Sequence, residues 1–264
     1  MSTILDTIVA SKREEIARFK PLSPVVRFEQ KGFFWNFTTR SLKESLLKEG
    51  STGIIAEFKR KSPSKGWFKP KELEVEQVVR YYNAEGAAAV SVLTDEPFFG
   101  GDLDDLIQAK VITDIPVLRK DFMVDPWQIA EAKAFGADVI LLIAAILSPK
   151  EVQEMAAYAR KLNLDVLLEL HEPSELGHIC DETEIIGINN RNLKTFEVDI
   201  EQSLRMAEKI PAGKVKVAES GISSVEMIRR FRDNGFSGFL IGENFMKEED
   251  PGKAFTQFVK ELGQ

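Results

Sequence analysis

Eight short apolar segments alternate with segments of helical periodicity, and this series predicts an α/β fold of the TIM (β/α)8 barrel type. The length of 264 residues is close to that of a typical barrel of this kind. No long linker and no two-residue hairpin turn interrupts the series, which favours a closed parallel sheet. The alternative is an open doubly wound sheet, whose dinucleotide-binding form needs a Gly-x-Gly-x-x-Gly loop after a strand. The first loop, residues 59–66, has neither that pattern nor a Walker A pattern.

An N-terminal helical extension is predicted ahead of the barrel. Apolar residues recur at helical spacing over residues 1–19, and residues 41–49 predict a second helix. The aromatic-rich residues 27–35 between them are expected to be irregular. This stretch is too short to build a hydrophobic core of its own, so we expect residues 1–50 to pack on a catalytic barrel of residues 51–264.

Apolar runs rich in β-branched residues predict the eight barrel strands. They are expected at residues 54–58, 87–93, 115–120, 139–143, 166–170, 185–189, 215–218 and 238–241. The intervening helices are expected at residues 72–84, 102–110, 126–135, 149–162, 200–207 and 224–234, with residues 173–176 opening a further helix and a last helix ending the chain.

The composition limits the class of function. The formal net charge of −7 argues against general nucleic-acid binding. A single cysteine, Cys180, excludes an intrachain disulfide and a multi-cysteine metal site. The longest apolar run, residues 139–147, is too short to span a bilayer, and residues 1–20 lack the apolar core of a signal peptide. We therefore expect a cytoplasmic, monomeric protein that acts on a small molecule.

Charged and amide side chains follow several of the predicted strands. Because side chains alternate across a strand, Glu57 and Lys59 share a face at the end of the first strand. Catalytic side chains of this fold come from the carboxyl ends of the strands, so such residues should converge. The same alternation adds Lys120 from the third strand, Glu169 from the fifth, Asn189 from the sixth with Arg191 beyond it, and Glu219 from the seventh.

The residue types in this ring suit acid–base chemistry. A lysine that is crowded by another cation, or partly removed from water, has a lowered pKa and can act as a general acid near neutral pH. Glu169 beside such lysines should stay ionised and act as a base, because we expect charge to outweigh burial in setting its pKa. The amide of Asn189 both donates and accepts hydrogen bonds, which suits a sugar-like hydroxyl.

An anion site is predicted in the loops after the seventh and eighth strands. Glycines in Ser220-Gly221 and Ile241-Gly242 let backbone N–H groups approach a phosphate, and these loops form the usual phosphate site of this fold. Glu243 is expected to bind through its N–H while its carboxylate turns away. The countercharge is expected from Lys59, Arg60 and Lys61, together with Ser62.

Aromatic loop residues and two histidines complete the set of candidates. The loop Phe98-Phe99-Gly100-Gly101 is either a wall for substrate stacking or a packed loop, and Phe122 has the same two interpretations. His171 follows the fifth strand, but with His178 and Cys180 it lacks a metal-binding spacing, so a structural role is favoured. No set of Asp, Glu and His resembles a magnesium site, and no metal is predicted.

Several of these segments are motifs in their own right. The most specific is Ala56-Glu57-Phe58-Lys59-Arg60-Lys61-Ser62-Pro63-Ser64. Others follow in chain order: Ile4-Leu5-x-x-Ile8-Val9 with Lys12, Leu93-Thr94-Asp95, Phe99-Gly100-Gly101, Leu118-Arg119-Lys120-Asp121-Phe122, Leu168-Glu169, Gly187-Ile188-Asn189-Asn190-Arg191-Asn192-Leu193, Ala218-Glu219-Ser220-Gly221-Ile222 and Ile241-Gly242-Glu243. Together they resemble the indole-3-glycerol phosphate synthase family, and the resemblance covers essentially the whole chain.

The resemblance implies a reaction of tryptophan biosynthesis that needs no cofactor. Ring closure, decarboxylation and dehydration convert 1-(2-carboxyphenylamino)-1-deoxyribulose 5-phosphate into indole-3-glycerol phosphate. It implies that Lys120 protonates the ketone oxygen, that Glu169 serves as base or proton relay in the loss of water, and that Lys59 binds the substrate carboxylate. Whether Lys59 or Lys120 protonates the departing hydroxyl stays open.

The other site residues are assigned to positioning and binding. By the same resemblance Glu57 orients the lysines, Asn189 holds a ribulose hydroxyl, and Arg191 braces Glu57 or Asn189. Contacts with the substrate or its phosphate are assigned to Ser62, Phe99, Phe122, Ser220, Gly221, Leu240, Gly242 and Glu243.

Two other functions remain as alternatives. A related phosphate-binding barrel isomerase, such as phosphoribosylanthranilate isomerase, would imply a cysteine or aspartate pair as acid and base, whereas the first strand ends here in Glu57 and Lys59. A non-catalytic phosphate-binding or scaffold protein would keep Ser220-Gly221 and Gly242 but would not need both lysines with Glu169.

Overall fold

The molecule is built around a closed barrel of eight parallel strands. The structure is a computed structural model that describes residues 3–191 and 197–263. Each strand pairs with the next along the chain, and the eighth pairs with the first. The strands are β1 (Ile54–Phe58), β2 (Ala89–Leu93), β3 (Val117–Lys120), β4 (Val139–Ile143), β5 (Asp165–Leu170), β6 (Ile185–Asn189), β7 (Val215–Glu219) and β8 (Gly238–Ile241). The TIM (β/α)8 barrel is therefore confirmed, and the open doubly wound sheet is excluded.

Helices cover the outside of the barrel and precede it. They are α1 (Ile4–Phe19), α2 (Val25–Lys31), α3 (Leu42–Leu47), α4 (Glu76–Ala84), α5 (Glu96–Phe99), α6 (Leu103–Ile112), α7 (Pro126–Ala134), α8 (Pro149–Lys161), α9 (Ile200–Ala207), α10 (Val225–Asp233), α11 (Glu243–Met246) and α12 (Pro251–Leu262). Many begin at a side-chain cap; for example, Ser148 accepts the N–H of Glu151 at the start of α8. Such caps explain why most helix starts lie within a few residues of their predicted positions.

Three local features differ from what the sequence predicted or were not predicted at all. Part of the stretch expected to be irregular forms α2, because its Phe28 packs on Trp127 with ring centroids 5.6 Å apart. The helix expected from residue 173 is only a 3₁₀ turn, Pro173–His178, which ends where the His178 ring contacts the carbonyl oxygens of Glu175 and Leu147. The loop after β1 contains a small antiparallel hairpin, Lys61–Ser62 with Gly66–Trp67, outside the barrel.

The N-terminal segment contacts two different parts of the barrel. Leu42 and Leu46 of α3 are buried against the barrel interior, where they join the inward-facing side chains of the strands. The hydroxyl of Ser45 donates to the carbonyl of Ala88, just before β2 begins, so α3 closes the amino-terminal end of the barrel. By contrast, Ile16 of α1 and Phe28 of α2 pack on α7 at the outer wall. The described part of this N-terminal segment thus packs apolar residues on the barrel at both places.

Strand register places the chemically active residues at one end of the barrel. Glu219 on β7 lies beside Asn189 on β6 and beside Leu240 on β8. Glu169 on β5 pairs with Gly187 on β6. A Cβ atom on Gly187 would collide with Oε1 of Glu219, so glycine is needed there for the carboxylate to enter the barrel mouth.

Candidate active site

The barrel mouth holds a group of charged and amide side chains that we call the Lys120 cluster. It consists of Glu57, Lys59, Lys120, Glu169, Asn189 and Glu219, all predicted from strand alternation. Nζ of Lys120 lies 3.3 Å from Oε2 of Glu169, and Nδ2 of Asn189 donates to Oε1 of Glu169 at 3.1 Å. Glu169 and Glu219 are almost fully buried, with 3% and 1% of their surface exposed. Charge at this depth must be neutralised within the cluster.

The two deepest carboxyl groups, those of Glu169 and Glu219, have pKa values shifted in opposite directions. Burial raises the pKa of Glu169, but Lys120, His171 and Asn189 more than compensate, and the pKa lies well below its usual value. Burial and the neighbouring Glu169 charge instead hold the pKa of Glu219 well above its usual value. Glu169 is therefore the carboxyl group that carries the negative charge more readily, and Glu219 keeps its proton to higher pH than Glu169 does. The expected lowering of the Glu169 pKa is confirmed.

The expectation for the lysine was wrong in direction. Burial disfavours the charged form of Lys120, but Glu169, Glu219 and Glu57 outweigh it, so its pKa is raised above the usual value. The sequence prediction considered the neighbouring cation and desolvation. It gave too little weight to three carboxyl groups that converge on the same ammonium. Lys120 is therefore fully protonated in the free protein.

Glu57 and Lys59 form a second ion pair at the barrel rim. Nζ of Lys59 lies 2.8 Å from Oε1 of Glu57, and the Ser91 hydroxyl lies 3.4 Å from Oε2. A Cβ atom on Gly242 would approach that carboxylate to 2.6 Å, so glycine at the end of β8 leaves room for Glu57. Lys59 is held by Glu57 while its side chain stays 17% exposed to the mouth.

A pocket of about 160 Å³ lies between the ends of β1, β7 and β8. It is lined by five residues that were predicted to bind an anion, Lys59, Ser220, Gly221, Gly242 and Glu243, and also by Arg191 and Leu240. Ser220 and Gly221 both have positive φ, of 66° and 71°. A non-glycine residue in this conformation stores strain of about 1–3 kcal/mol, and such strain concentrates at ligand sites.

The predicted countercharge is only partly present at this pocket. Arg60 is turned to the outside of the barrel, where it makes two contacts with the carboxylate of Asp105, of 2.5 and 2.8 Å. Lys61 donates to the carbonyl of Pro97, and the Ser62 hydroxyl lies 3.5 Å from that of Ser64 in the hairpin. Of the four residues proposed as countercharge, Lys59 alone is among those lining the pocket.

Arg191 and Glu243 face each other across the rim of the pocket. Nη2 of Arg191 lies 3.4 Å from Oε2 of Glu243, and Nζ of Lys65 lies 2.5 Å from Oε1. The side chain of Glu243 therefore pairs with cations, and these lower its pKa. The N–H of Arg191 donates to Oδ1 of Asn189 at 3.0 Å, so the bracing expected of Arg191 comes from its backbone. Asn192 and Leu193, part of one sequence motif, lie outside the described residues.

Two further candidates lie close together. The rings of Phe99 and Phe122 have centroids 5.8 Å apart and an interplanar angle of 33°. Phe122 also packs against the apolar interior of the barrel.

His171 is buried, and its Nε2 lies 2.9 Å from Oε1 of Glu169. A structural role was predicted for His171, and its contact with Glu169 was not predicted.

A separate network, which we call the Lys12 cluster, was not predicted. It consists of Lys12, Asp95, Arg119, Asp121 and Glu131. Nζ of Lys12 on α1 lies 3.2 Å from Asp95 and 3.1 Å from Asp121. Arg119 contacts Asp121 and Glu131 at 3.1 and 2.9 Å. The only sequence signal was a lysine on the apolar face of an amphipathic helix.

Residues 3–191 and 197–263 contain neither a metal-binding cluster nor a membrane-spanning helix. No group of three or more His, Cys, Asp or Glu side chains in these ranges is arranged to hold a metal ion. No helix there combines the length and the apolar character needed to cross a membrane.

Structural comparison identifies the architecture only. The chain resembles a tryptophan synthase from Pyrococcus furiosus, with a TM-score of 0.58 over 80% of this chain and 97% of that chain at 16% identity. It also resembles thiamine phosphate pyrophosphorylase from the same organism, with a TM-score of 0.60 over 84% and 98% of the two chains at 17% identity. At such low identity these similarities show the shared barrel and nothing about the reaction.

Sequence comparison gives the family. A family model described as indole-3-glycerol phosphate synthase matches residues 5–258. The protein of that name from Bacteroides thetaiotaomicron is 48% identical over 99% of this chain and 100% of its own length. Those from Polaromonas sp. and Koribacter versatilis are 44% and 42% identical, over 97% and 98% of this chain and 98% and 100% of their own lengths. The chain therefore belongs to the indole-3-glycerol phosphate synthase family of decarboxylating lyases in tryptophan biosynthesis.

Proposed function

We propose that the Lys120 cluster carries out the reaction of this family on this chain. That reaction closes the indole ring of 1-(2-carboxyphenylamino)-1-deoxyribulose 5-phosphate and releases carbon dioxide and water to give indole-3-glycerol phosphate. The observation that carries the proposal is the buried pair of a protonated Lys120 and an ionised Glu169, 3.3 Å apart, at the barrel mouth where Glu57 and Lys59 line a pocket of about 160 Å³. An acid and a base are thus present at one point.

Lys120 is the general acid of ring closure. As the aryl carbon attacks the ketone, the ketone oxygen becomes an alkoxide, which is a far stronger base than an amine. A lysine with a raised pKa remains charged throughout the neutral range, so the proton is always available. Its ammonium also stabilises the developing negative charge before the proton moves.

Glu169 is the base for the loss of water. Its lowered pKa keeps the carboxylate ionised, and this negative charge in turn raises the pKa of the adjacent Lys120. When Glu169 accepts a proton, Lys120 loses a counterion, which makes the ammonium a stronger acid at the same moment. Lys59, held by Glu57 at 2.8 Å, binds the substrate carboxylate. Either Lys59 or Lys120 protonates the departing hydroxyl.

The pocket beside Lys59 takes the phosphate. Backbone N–H groups of Ser220, Gly221, Gly242 and Glu243 are the proposed donors, and the left-handed conformation of the first two directs successive N–H groups to one side. Phe99 and Phe122 with Leu240 form the apolar surface for the aromatic ring. Asn189 holds a ribulose hydroxyl, while Ser62 reaches the substrate only if the hairpin moves.

The proposal also covers the domain organisation of the protein, its location in the cell and its partners. Residues 1–50 form an extension of a single catalytic unit, whose barrel comprises residues 51–264. The protein is a cytoplasmic monomer whose partner is its small phosphorylated substrate. Its net charge of −7 disfavours nucleic acid as a partner.

Glu169→Gln tests the assignment of the base. Glutamine keeps the shape and the hydrogen bonds but removes the basicity, so kcat should fall about 10²-fold or more while KM changes little. Single-turnover experiments should then show a ring-closed, decarboxylated species that still carries its hydroxyl. If kcat is retained and only KM rises, Glu169 is a binding residue and Glu57 becomes the next candidate for the base.

A further inference from the structure

His171 stands two residues beyond Glu169, on the same face of the chain at the end of β5. It is 6% exposed, and its Nε2 lies 2.9 Å from Oε1 of Glu169. Nothing in the proposed reaction uses this ring. A buried titratable group in contact with the base of an active site therefore has no assigned role.

The two oxygens of Glu169 have different surroundings. Oε1 has two nitrogen neighbours, Nδ2 of Asn189 at 3.1 Å and Nε2 of His171 at 2.9 Å. Oε2 has the longer contact, 3.3 Å to Nζ of Lys120. Oε1 is thus engaged by the Asn189 amide and lies against the His171 ring, whereas Oε2 faces the acid Lys120.

Charged groups on three elements face the imidazole. Glu169 is on its own strand, and Glu175 in the 3₁₀ turn places Oε2 3.9 Å from Nδ1. The same oxygen accepts the N–H groups of His171 and Glu172, which fixes the carboxylate behind the ring. Lys120 on β3 opposes a charge on the ring. Burial lowers the pKa of His171, but Glu169 and Glu175 outweigh burial and Lys120, so the pKa is raised.

We propose that His171 is a positioning residue for the general base: its ring nitrogen Nε2, 2.9 Å from Oε1 of Glu169, holds that oxygen by charge so that Oε2 exchanges the proton with Lys120 and the substrate. This inference rests on the proposed role of Glu169 as the base. The imidazolium form also places positive charge beside Glu169 and keeps it ionised at lower pH. When His171 loses its proton, that charge disappears and the hydrogen bond from Asn189 alone orients Oε1.

The pH profile of kcat separates this role from a structural one. In His171→Ala the acid limb should move to higher pH by about one unit, because an opposite charge at this distance shifts a carboxyl pKa by about 1–3 units. At neutral pH kcat should fall about tenfold from misplacement of the base, with KM unchanged. In His171→Gln the amide Nε2 replaces the ring nitrogen, so kcat should recover while the shifted acid limb remains.

His178 provides the matched control. It is the other of two histidines in the chain, and both of its ring nitrogens lie 2.9 Å from carbonyl oxygens, of Glu175 and Leu147. His178→Gln should leave the acid limb of kcat in place. Acid limbs of His171→Ala and the parent protein that superimpose would overturn the inference.

An NMR titration of the histidine rings tests the inference without relying on the activity of a variant that could be misfolded. Ring ¹⁵N signals of the full-length protein contain two imidazoles, which His178→Gln assigns. Glu169→Gln should lower the titration midpoint of His171, because the ring loses its anionic partner. An unchanged midpoint contradicts the inference. If instead Glu169→Gln keeps full kcat while the midpoint moves, the proposed function fails and the contact between the two residues stands.

Discussion

Two buried charge clusters lie back to back on strand β3, and they differ in how completely their charges are paired. In the Lys12 cluster, Lys12 has partners on both Asp95 and Asp121, and Arg119 bridges Asp121 and Glu131, all within 3.2 Å. In the Lys120 cluster, Lys120 has one contact of 3.3 Å, and Oε1 of Glu219 is buried without a hydrogen-bond partner. The first cluster is electrostatically complete, and the second is not.

The difference between the two clusters follows from the alternation of side chains along β3. Arg119 points outward between the strands and helices, Lys120 points into the barrel mouth, and Asp121 continues the outward side. Arg119 and Asp121 meet side chains from helices α1 and α7, which can be chosen for pairing alone. Lys120 meets the ends of other strands, where, in the proposed function, the substrate supplies the missing partners. Complete pairing serves stability, whereas incomplete pairing leaves groups available for reaction.

The strongest test removes the cation of the incomplete cluster. Lys120→Ala should lower kcat by about 10²–10⁴-fold, as expected for the loss of a general acid, while substrate still binds through its phosphate. The matched control is Lys110→Ala. Lys110 is also buried and pairs with Asp138 at 2.6 Å, at the start of β4 and away from the barrel mouth. Its loss should reduce the free energy of unfolding and leave kcat unchanged. Near-normal turnover of Lys120→Ala would remove Lys120 from the mechanism.

Breaking the complete cluster should affect stability more than chemistry. Lys12→Met removes one partner of a buried network and leaves Asp95 and Asp121 short of positive charge, which costs about 3–5 kcal/mol in the free energy of unfolding. Denaturant unfolding measures this change. Lys20→Met is the control, because the pair of Lys20, at the C-terminal cap of α1, with Asp125 is exposed, and exposed pairs are worth about 0–1 kcal/mol. Equal losses in the free energy of unfolding of Lys12→Met and Lys20→Met would contradict the expected difference between a buried and an exposed ion pair.

The pH dependence of that stability has a defined sign. Burial opposes the charge on Asp121, but Lys12 and Arg119 hold its pKa well below the usual value. The stabilisation is therefore present above the unfolded pKa of about 3.8 and is lost as pH falls further toward the folded value. Lys12→Met should shrink this acid-side loss.

The inward residues of the Lys120 cluster were predictable from the sequence because strand alternation is strictly periodic. Lys120, Glu169, Asn189 and Glu219 each occupy the position that a two-residue period assigns to the barrel interior. The fold was predictable for a related reason, since each βα unit repeats the same local pattern.

The long-range pairings were not predictable. Helical periodicity showed that Lys12 lies on the apolar face of α1, but not that Asp95 and Asp121 would meet it. The raised pKa of Lys120 depends on three carboxyl groups from three other strands, and no local pattern counts them. The same limit explains Arg60, which follows Lys59 of the barrel mouth directly in sequence while its own partner, Asp105, is on α6.

The smallest expected effect concerns the phosphate pocket, where both charge clusters stay intact. Ser220→Gly removes a hydroxyl but keeps the backbone N–H, and it relieves the cost of a positive φ. If backbone groups hold the phosphate, the Kd for inorganic phosphate should change less than about threefold, whereas a lost hydrogen bond to a charged group would cost about 1.5–3 kcal/mol.

Gly221→Ala should weaken binding far more, because its Cβ would approach Cγ1 of Val198 to 2.6 Å at a φ of 71° and displace the N–H groups. Ser223→Ala, which alters another hydroxyl lining the same pocket, is the control. Calorimetric titration with phosphate decides between the two modes: strong loss in Ser220→Gly with little loss in Gly221→Ala would assign the anion to the hydroxyl, and the reverse assigns it to the main chain.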